Sequence, residues 1–519
     1  MRGSTLSARE KWTLTVSCLT VALVIGSMAA LYTSLAQIAA DTGATQTELT
    51  WVVDAYTLAL ACLLLPAGAI GDRYGRRAVL VAGLAVFAAA SLIPLFASQP
   101  AWLIGARAVA GAGAAMMMPS TLSIMTATFP AAHRGRAVGV WAGVAGSGAI
   151  LGMLCSGLLL TRWPWESIFV GFTAAGLALL VAAATLPESR QSVRHPMDFV
   201  GSVAVVAAIV VIVITLIEAP ERGWADPVVL GLFAGGAVAT VVFVIVELRR
   251  AHPLLELRLF ADRNFGGAAL SIGLQFLVMF GLAFLVVQYV QLILGYDAWR
   301  SAVAIAPIGV PLVGISALAP WLGPLIGLRL LTVPGFLLVA AGLYLTSRLT
   351  VGAVYLDVLW PLLLMGAGMG LCMAPATTAI MTASPEDDHG VAAAVNDAAR
   401  EVGAAFGIAI AGSVLADGYS DRIADVLGRV PPQVRGPVSD SPAAALQVVE
   451  SMGPPAAPIA EAARQAFVHG HSQAALVLAL ATFASALVLS LWIPDREPPP
   501  YGRHAKRGDV ARVPVTVGG

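Results

Sequence analysis

Residues 68–77 read Gly68-Ala69-Ile70-Gly71-Asp72-Arg73-Tyr74-Gly75-Arg76-Arg77. This stretch of one acid, three arginines and three glycines separates two apolar runs, residues 49–71 and 78–97. A helix needs roughly 20 apolar residues to cross a bilayer core about 30 Å thick, and each run is long enough. The charges cannot follow them into lipid, so the segment reads as a tight turn at the membrane surface, its arginines on the cytoplasmic side.

The same alternation extends in both directions. The 519 residues are 58% hydrophobic and only 12% charged, against about 25% charged in soluble domains. Mean hydropathy is +0.84. Spans are expected at residues 13–35, 49–71, 78–97, 102–126, 137–160 and 167–186, then at 199–216 and 228–247. The last six fall at 265–292, 301–322, 330–346, 358–381, 391–415 and 474–492. The result is an all-α integral membrane protein of about fourteen helices. A six-helix bundle (1–186) and a second one (264–493) flank two additional helices with their linkers (187–263). An external loop is expected over 416–470, with short amphipathic helices around 423–427 and 459–467. A disordered cytoplasmic tail is expected over 494–519, where Pro498 to Pro500 with Arg503, Lys506 and Arg507 cannot build a core.

With both termini in the cytoplasm, most of the 30 Lys and Arg residues fall in cytoplasmic segments. A zero formal net charge offers no basic surface for nucleic acid. Cys18, Cys62, Cys155 and Cys372 lie in apolar runs without ligand spacing, so neither disulfide nor metal is expected. His469 and His471, two residues apart, would not share a helix face and read as solvated loop histidines. The only lysines, Lys11 and Lys506, precede Trp12 and Arg507, which excludes a Walker A loop and with it ATP as the direct energy source. The excess of arginine over lysine in an Ala- and Gly-rich chain points to a bacterial cytoplasmic membrane.

Residues 68–77 resemble the G-x-x-x-D-R-x-G-R-R signature of the major facilitator superfamily. In that resemblance Gly68, Asp72, Arg73, Gly75, Arg76 and Arg77 form a cytoplasmic gate, whose salt bridge favours one transporter state. Arg107 to Gly111 resembles the superfamily's R-x-x-x-G motif, and Trp51-Val52-Val53-Asp54-Ala55-Tyr56 is similar to a run in fourteen-helix drug:proton antiporters, quaternary-ammonium exporters among them. Two positions depart from that family. The fifth-span motif has Gly152-Met153 and Ser156-Gly157 where Gly-Pro and Gly-Gly are usual, and Ser27 stands where the first span often carries an aspartate. Residues 319–329 look like a degenerate copy of the gate motif, without its acid.

Ionisable residues inside spans are expensive and mark function by default. Asp54 and Arg107 each lie five residues from an outer span end, about 8 Å deep at 1.5 Å per residue. Equal depth predicts a pair in which Asp54 carries the transported proton. A second cluster, Asn396, Asp397, Arg400 and Glu401, occupies two turns of the thirteenth span. Asp397 can face Arg400 at i,i+3 and Glu401 at i,i+4, so that one carboxylate stays paired while the other titrates, although a neutralised structural network accounts for the same residues. Gln275, Gln288, Tyr289 and Gln291 offer hydrogen bonds to a substrate. The Met365, Met369, Met373 stripe is better read as packing.

Together these features predict a secondary transporter that exports a moderately hydrophobic, drug- or antibiotic-like molecule in exchange for protons. Its partners are that substrate, protons and the lipid bilayer, and no cofactor is needed. A solute importer or uniporter of the same fold is the main alternative. A membrane-embedded enzyme lacks any converging nucleophile, base or ligand set, and a transport-dead sensor fits poorly with the intact gate motif.

Overall fold

The computed structural model describes residues 7–96, 99–188, 199–250, 257–383, 389–428, 430, 432–452 and 457–493. The expected tail at 494–519 lies outside them. Among the described residues the chain is helical with no strand. The first half comprises α1 (Ala8–Ala30), α2 (Leu35–Thr42), α3 (Gln46–Tyr74), α4 (Arg76–Leu92), α5 (Pro100–Thr128), α6 (Ala131–Leu159) and α7 (Glu166–Ala184). Next come α8 (Phe199–Arg222) and α9 (Pro227–Arg249). The second half comprises α10 (Arg263–Leu292), α11 (Ala298–Ile305), α12 (Gly309–Thr346), α13 (Tyr355–Ala383), α14 (His389–Leu427), α15 (Arg435–Asp440), α16 (Pro442–Met452) and α17 (Ala457–Trp492).

Thirteen helical segments among the described residues are long and apolar enough to span a membrane, against about fourteen expected. The remaining one is α6, whose apolar stretch is the shorter Ser147–Leu159. α12 holds the end of the span that begins at Ala298 and the whole of the next one, Ile326–Thr346, and its backbone leaves the helical region at Gly327 (φ 81°). Helix starts follow from local chemistry: Ser7 with Glu10 and Thr45 with Glu48 form capping boxes that satisfy the first free N–H groups of α1 and α3. Large apolar side chains such as Val181, Leu230, Val310 and Leu491 point outward, as expected when lipid is the solvent. Small residues line the interior contacts instead. At Gly152 of α6 the backbone of Gly26 of α1 occupies the space a Cβ would need, so these helices meet backbone to backbone.

The halves repeat one packing scheme. α1 lies on α6 and α3 on α5; correspondingly, α10 lies on α14 and α12 on α13. Between halves, α3 packs on α14 and α6 on α11. These contacts gather at the end of the molecule opposite the 68–77 turn. There Gln291 donates to the Thr33 carbonyl at 2.8 Å, Thr50 fills the space beside Gly412, and Gly157 abuts Ala298 and Trp299.

The two additional helices lie beside this junction. α8 packs on both α3 and α14, sharing an apolar cluster of Leu58 and Cys62 from α3, Ile209, Val213 and Ile217 from α8, and Ala409 from α14. Trp51 of α3 donates to Glu218 of α8 at 3.0 Å, and Ser413 of α14 donates to the Leu216 carbonyl of α8. α9 is held mainly by α8 and is otherwise mostly exposed.

The expected loop at 416–470 is a correction. α14 continues to Leu427 and α17 begins at Ala457, so residues 423–427 and 459–467 belong to long helices. The extensions persist because they have an apolar side: Tyr419, Ile423, Ile459, Ala463 and Phe467 are buried, and the Tyr419 hydroxyl donates to the Val438 carbonyl at 2.7 Å. The histidines follow from this. His469 bonds Gln473 at 3.0 Å, while His471 is fully buried against Tyr289, ring centres 4.9 Å apart.

Candidate functional site

Asp54 is completely buried and neither carboxylate oxygen has a hydrogen-bond partner. Arg107 is 1% exposed. The two share a depth but form no ion pair, which overturns the expected Asp54–Arg107 bridge. The cause is azimuth. Arg107 reaches α3 through Val52, donating Nε–H to its carbonyl at 3.2 Å, and through Tyr56, whose ring centre lies 4.2 Å from its guanidinium carbon. Val52 and Tyr56 are i,i+4 neighbours on the face that meets α5, and Asp54 sits about 200° around the helix from Val52. Thr50, Asp54, Leu58 and Cys62 form the opposing i,i+4 stripe. Thr50 touches Gly412, and Leu58 and Cys62 pack with Ala409, Ile209 and Val213. Asp54 therefore faces α14 and α8, at the junction of the halves.

Ser27 completes the cationic side. Its hydroxyl lies 3.0 Å from that of Tyr56, which itself donates to the Val24 carbonyl at 2.9 Å. Where the family resemblance anticipates an acid, the chain places a serine bound to the tyrosine beneath Arg107. The guanidinium thus has an aromatic face and a carbonyl, and Nη2 has no acceptor.

In α14 the expected i,i+3 contact is present: Arg400 Nη1 stands 3.9 Å from Asp397 Oδ1, which also accepts from Asn396 at 3.3 Å. Arg400 lies over Phe276 of α10, 4.8 Å from its ring centre. Glu401 is 1% exposed and its Oε2 is unpartnered. It is near enough to Tyr56 of α3 to act on it electrostatically. Asp54 of α3 and Glu401 of α14 are thus two buried carboxyl groups on helices that pack on each other.

At the other end, Asp72 pairs with Arg76 at 2.8 Å, both in the same turn. Arg76 also donates to the Ser123 carbonyl of α5 at 3.4 Å, while Arg73 lies 5.7 Å from the centre of the Tyr74 ring. Gly75 has φ 118°, a conformation that favours glycine and lets the chain reverse in one residue. Glu188, absent from the sequence-based site, braces the turn: it accepts from the Arg77 backbone N–H at 3.1 Å and sits 3.5 Å from Arg77 Nε. Its place, one residue beyond the Pro187 that ends the sixth span, was the only available signal. Gly68 lies against Pro119 of α5.

A narrow cavity lies between the halves. Ala29, Tyr32, Ile150 and Met153 line it from one half, and Met279, Phe280, Ile305 and Met369 are among the lining residues from the other. The four predicted substrate ligands are not in this lining. Gln275 faces a separate small void within the second half and donates to Ser271 at 3.0 Å. Gln288 donates to the Phe284 carbonyl, Tyr289 to the Thr350 carbonyl and Gln291 to that of Thr33. Their donors are engaged in holding the fold.

The sequence pattern described as Major Facilitator Superfamily matches residues 17–408. A puromycin resistance protein of Streptomyces alboniger is 36% identical over 425 residues, covering 80% of this chain and 84% of the relative. The multidrug efflux pump LfrA of Mycolicibacterium smegmatis is 31% identical, covering 94% and 97%. Among solved structures, a bacterial homolog of the human lysosomal transporter Spinster superposes with a TM-score of 0.66 at 14% identity, covering 95% and 100%. The relatives are resistance exporters, and the structural likeness is one of fold.

Proposed function

The chain belongs to the major facilitator superfamily, and on that premise we propose that it exports a moderately hydrophobic, drug- or antibiotic-like molecule across a bacterial cytoplasmic membrane by proton antiport. The observation that carries this reading is the apolar cavity held jointly by two repeated halves, beside a buried carboxyl group with no partner, Asp54. The halves (1–186 and 264–493) rock about the cavity, exposing it to each side in turn. With the 68–77 turn and both termini in the cytoplasm, the joined ends at Gln291–Thr33 and Thr50–Gly412 close the outer side.

Asp54 serves as proton carrier because its surroundings change when α3 and α14 part: enclosed in one state, it meets water in the other. Glu401 is the second candidate on the same contact, with Asp397 and Arg400 as its neutral support. Asp72, Arg76 and Arg77 set the balance between states. Neither nucleotide nor cofactor enters the cycle.

The uniporter or importer reading draws on Ser27, which leaves the first helix without an acid. Everted vesicles separate the two: export by antiport predicts substrate accumulation that requires an inside-acid pH gradient and collapses when it is dissipated. Uptake that stops at equal concentration inside and out, whatever the gradient, would instead support the uniporter.

A further inference from the structure

The stripe of α3 that carries Asp54 changes character along its length. Gln46, Thr50 and Asp54 follow one another at i,i+4, each at most 2% exposed, and Leu58 and Cys62 continue the line toward the 68–77 turn. The helices packed on this stripe change at the same level. On α8 the apolar Ile209, Val213 and Ile217 give way to Glu218, which accepts from Trp51 at 3.0 Å. On α14 Ala409 is followed at i,i+4 by Ser413, bonded to the Leu216 carbonyl, then by Asp417 and Asp421. Asp417 accepts from the side chain of Trp224, in the turn between α8 and α9. The seam between α3, α8 and α14 is therefore polar from its outer end down to Asp54 and apolar from there inward. Within it, both carboxyl oxygens of Asp54 and both amide atoms of Gln46 have no hydrogen-bond partner.

We propose that this seam is the path by which protons reach Asp54 from the outer side, with Glu218 as the entry group and the Leu58, Cys62, Ile209, Val213 and Ala409 cluster as the barrier to the cytoplasm. This rests on the antiport reading with Asp54 as carrier, and adds the route to it. When α3 and α14 part, water entering from outside meets donors and acceptors on all three walls as far as Asp54, and an apolar wall beyond. Unpartnered buried groups cost free energy, so Gln46 and Asp54 favour wetting of the outer part alone. Glu218, partly exposed at the mouth, takes a proton from outer water and releases one to water in the seam. Asp54 takes up a proton at the inner end, and Glu218 is again a carboxylate. The other charged side chains described at the mouth are Asp417 and Asp421 of α14 and Arg222, one turn beyond Glu218 on α8. Glu48 of α3 is tied to the Thr45 N–H. Three carboxylates against one arginine draw protons to this opening. No residue of α3, α8 or α14 is in the cavity lining described between the halves, so the proton's route is separate from that cavity.

The test needs no substrate. Full-length protein is reconstituted into liposomes loaded with the pH dye pyranine, charge movement is balanced by potassium and valinomycin, and the outside is acidified. Wild-type liposomes should stay tight. Leu58→Asn should acidify the lumen about tenfold faster, the scale set by one polar group placed in an apolar barrier. Adding Glu218→Gln to Leu58→Asn should return the rate to that of wild type, and adding Glu218→Asp should not. A second measurement labels intact cells with a charged, membrane-impermeant methanethiosulfonate, on chains carrying one cysteine each. Thr50→Cys and Ser413→Cys should react, while Leu58→Cys and the native Cys62 stay protected. Folded Leu58→Asn protein that is as tight as wild type overturns the proposal. So does a leak that survives Glu218→Gln, or equal labelling of Thr50→Cys and Leu58→Cys. If Leu58→Asn does not fold, the labelling alone decides. The antiport reading is scored separately, by accumulation in everted vesicles. A pH gradient that drives no compound discards antiport, even where the leak depends on Glu218; gradient-driven transport without the leak keeps antiport and discards the path.

Discussion

Arg107 and Asp54 occupy the same depth on opposite sides of α3, the arginine 4.2 Å from the Tyr56 ring centre and the aspartate on the i,i+4 stripe of Leu58 and Cys62, which pack with Ala409 of α14. The positive charge is therefore held within the first half, whereas the carboxyl lies where the two halves touch. Only the second position changes its surroundings when the halves move, which separates a proton-carrying role from a scaffold role.

We predict that Asp54→Asn abolishes uphill export but retains counterflow. The amide keeps the carboxyl's shape and cannot exchange a proton, while the cavity still alternates. Both rates would be measured in proteoliposomes at matched protein density. A variant that still concentrates substrate would pass the role to Glu401.

Because the two residues do not pair, Asp54→Asn and Arg107→Gln should act on thermal stability independently, adding to within about 0.5 kcal/mol in a double-mutant cycle. Arg107→Gln alone forfeits the Tyr56 stack, about 1–2 kcal/mol for a desolvated cation–π contact. A coupling well above the additive limit would restore the ion pair.

For the α14 cluster, Glu401→Gln is expected to shift the pH dependence of transport. Asp397→Asn should mainly lower protein abundance, since it removes the carboxylate 3.9 Å from the Arg400 guanidinium. Transport at several pH values, normalised to protein, distinguishes them. An unchanged profile for Glu401→Gln would make the whole cluster structural.

At the turn, Asp72→Asn removes the 2.8 Å bond to Arg76, and we predict slower turnover with substrate affinity largely kept. The pair is partly exposed, so the shift between states should be about 1 kcal/mol, roughly fivefold in population. Glu188→Gln should behave likewise through Arg77. Wild-type flux in both would remove the turn from state control.

Spans were legible because lipid imposes length and hydropathy on any helix that crosses it. The turn at residues 68–77 was legible because its charges interrupt that pattern. Depth could be read too, by counting residues, and this is why Asp54 and Arg107 looked paired. Azimuth could not, since it depends on which helix meets which face, and Val52 with Tyr56 claimed the side facing α5. The polar first part of α17, with Glu461, Arg464, Gln465 and His469, reads by hydropathy as a short separate helix around 459–467 and hides its continuity with the last span. His471 was thereby misplaced. Gln288, Tyr289 and Gln291 were taken for substrate ligands on chemistry alone, but a buried donor within reach of a free carbonyl is satisfied there first.

α8 holds Trp51 of one half through Glu218 and Ser413 of the other through the Leu216 carbonyl. If α3 and α14 separate, it cannot keep both. A cycle of two rigid bodies then becomes one of three, in which α8 with its companion α9 departs with one side and leaves the other. The route is a branch point, and whichever bond is weaker decides it. Strengthening either attachment would bias the choice without touching cavity, carboxyl or turn, so the fold carries a control over the path of the motion that is separate from its driving force.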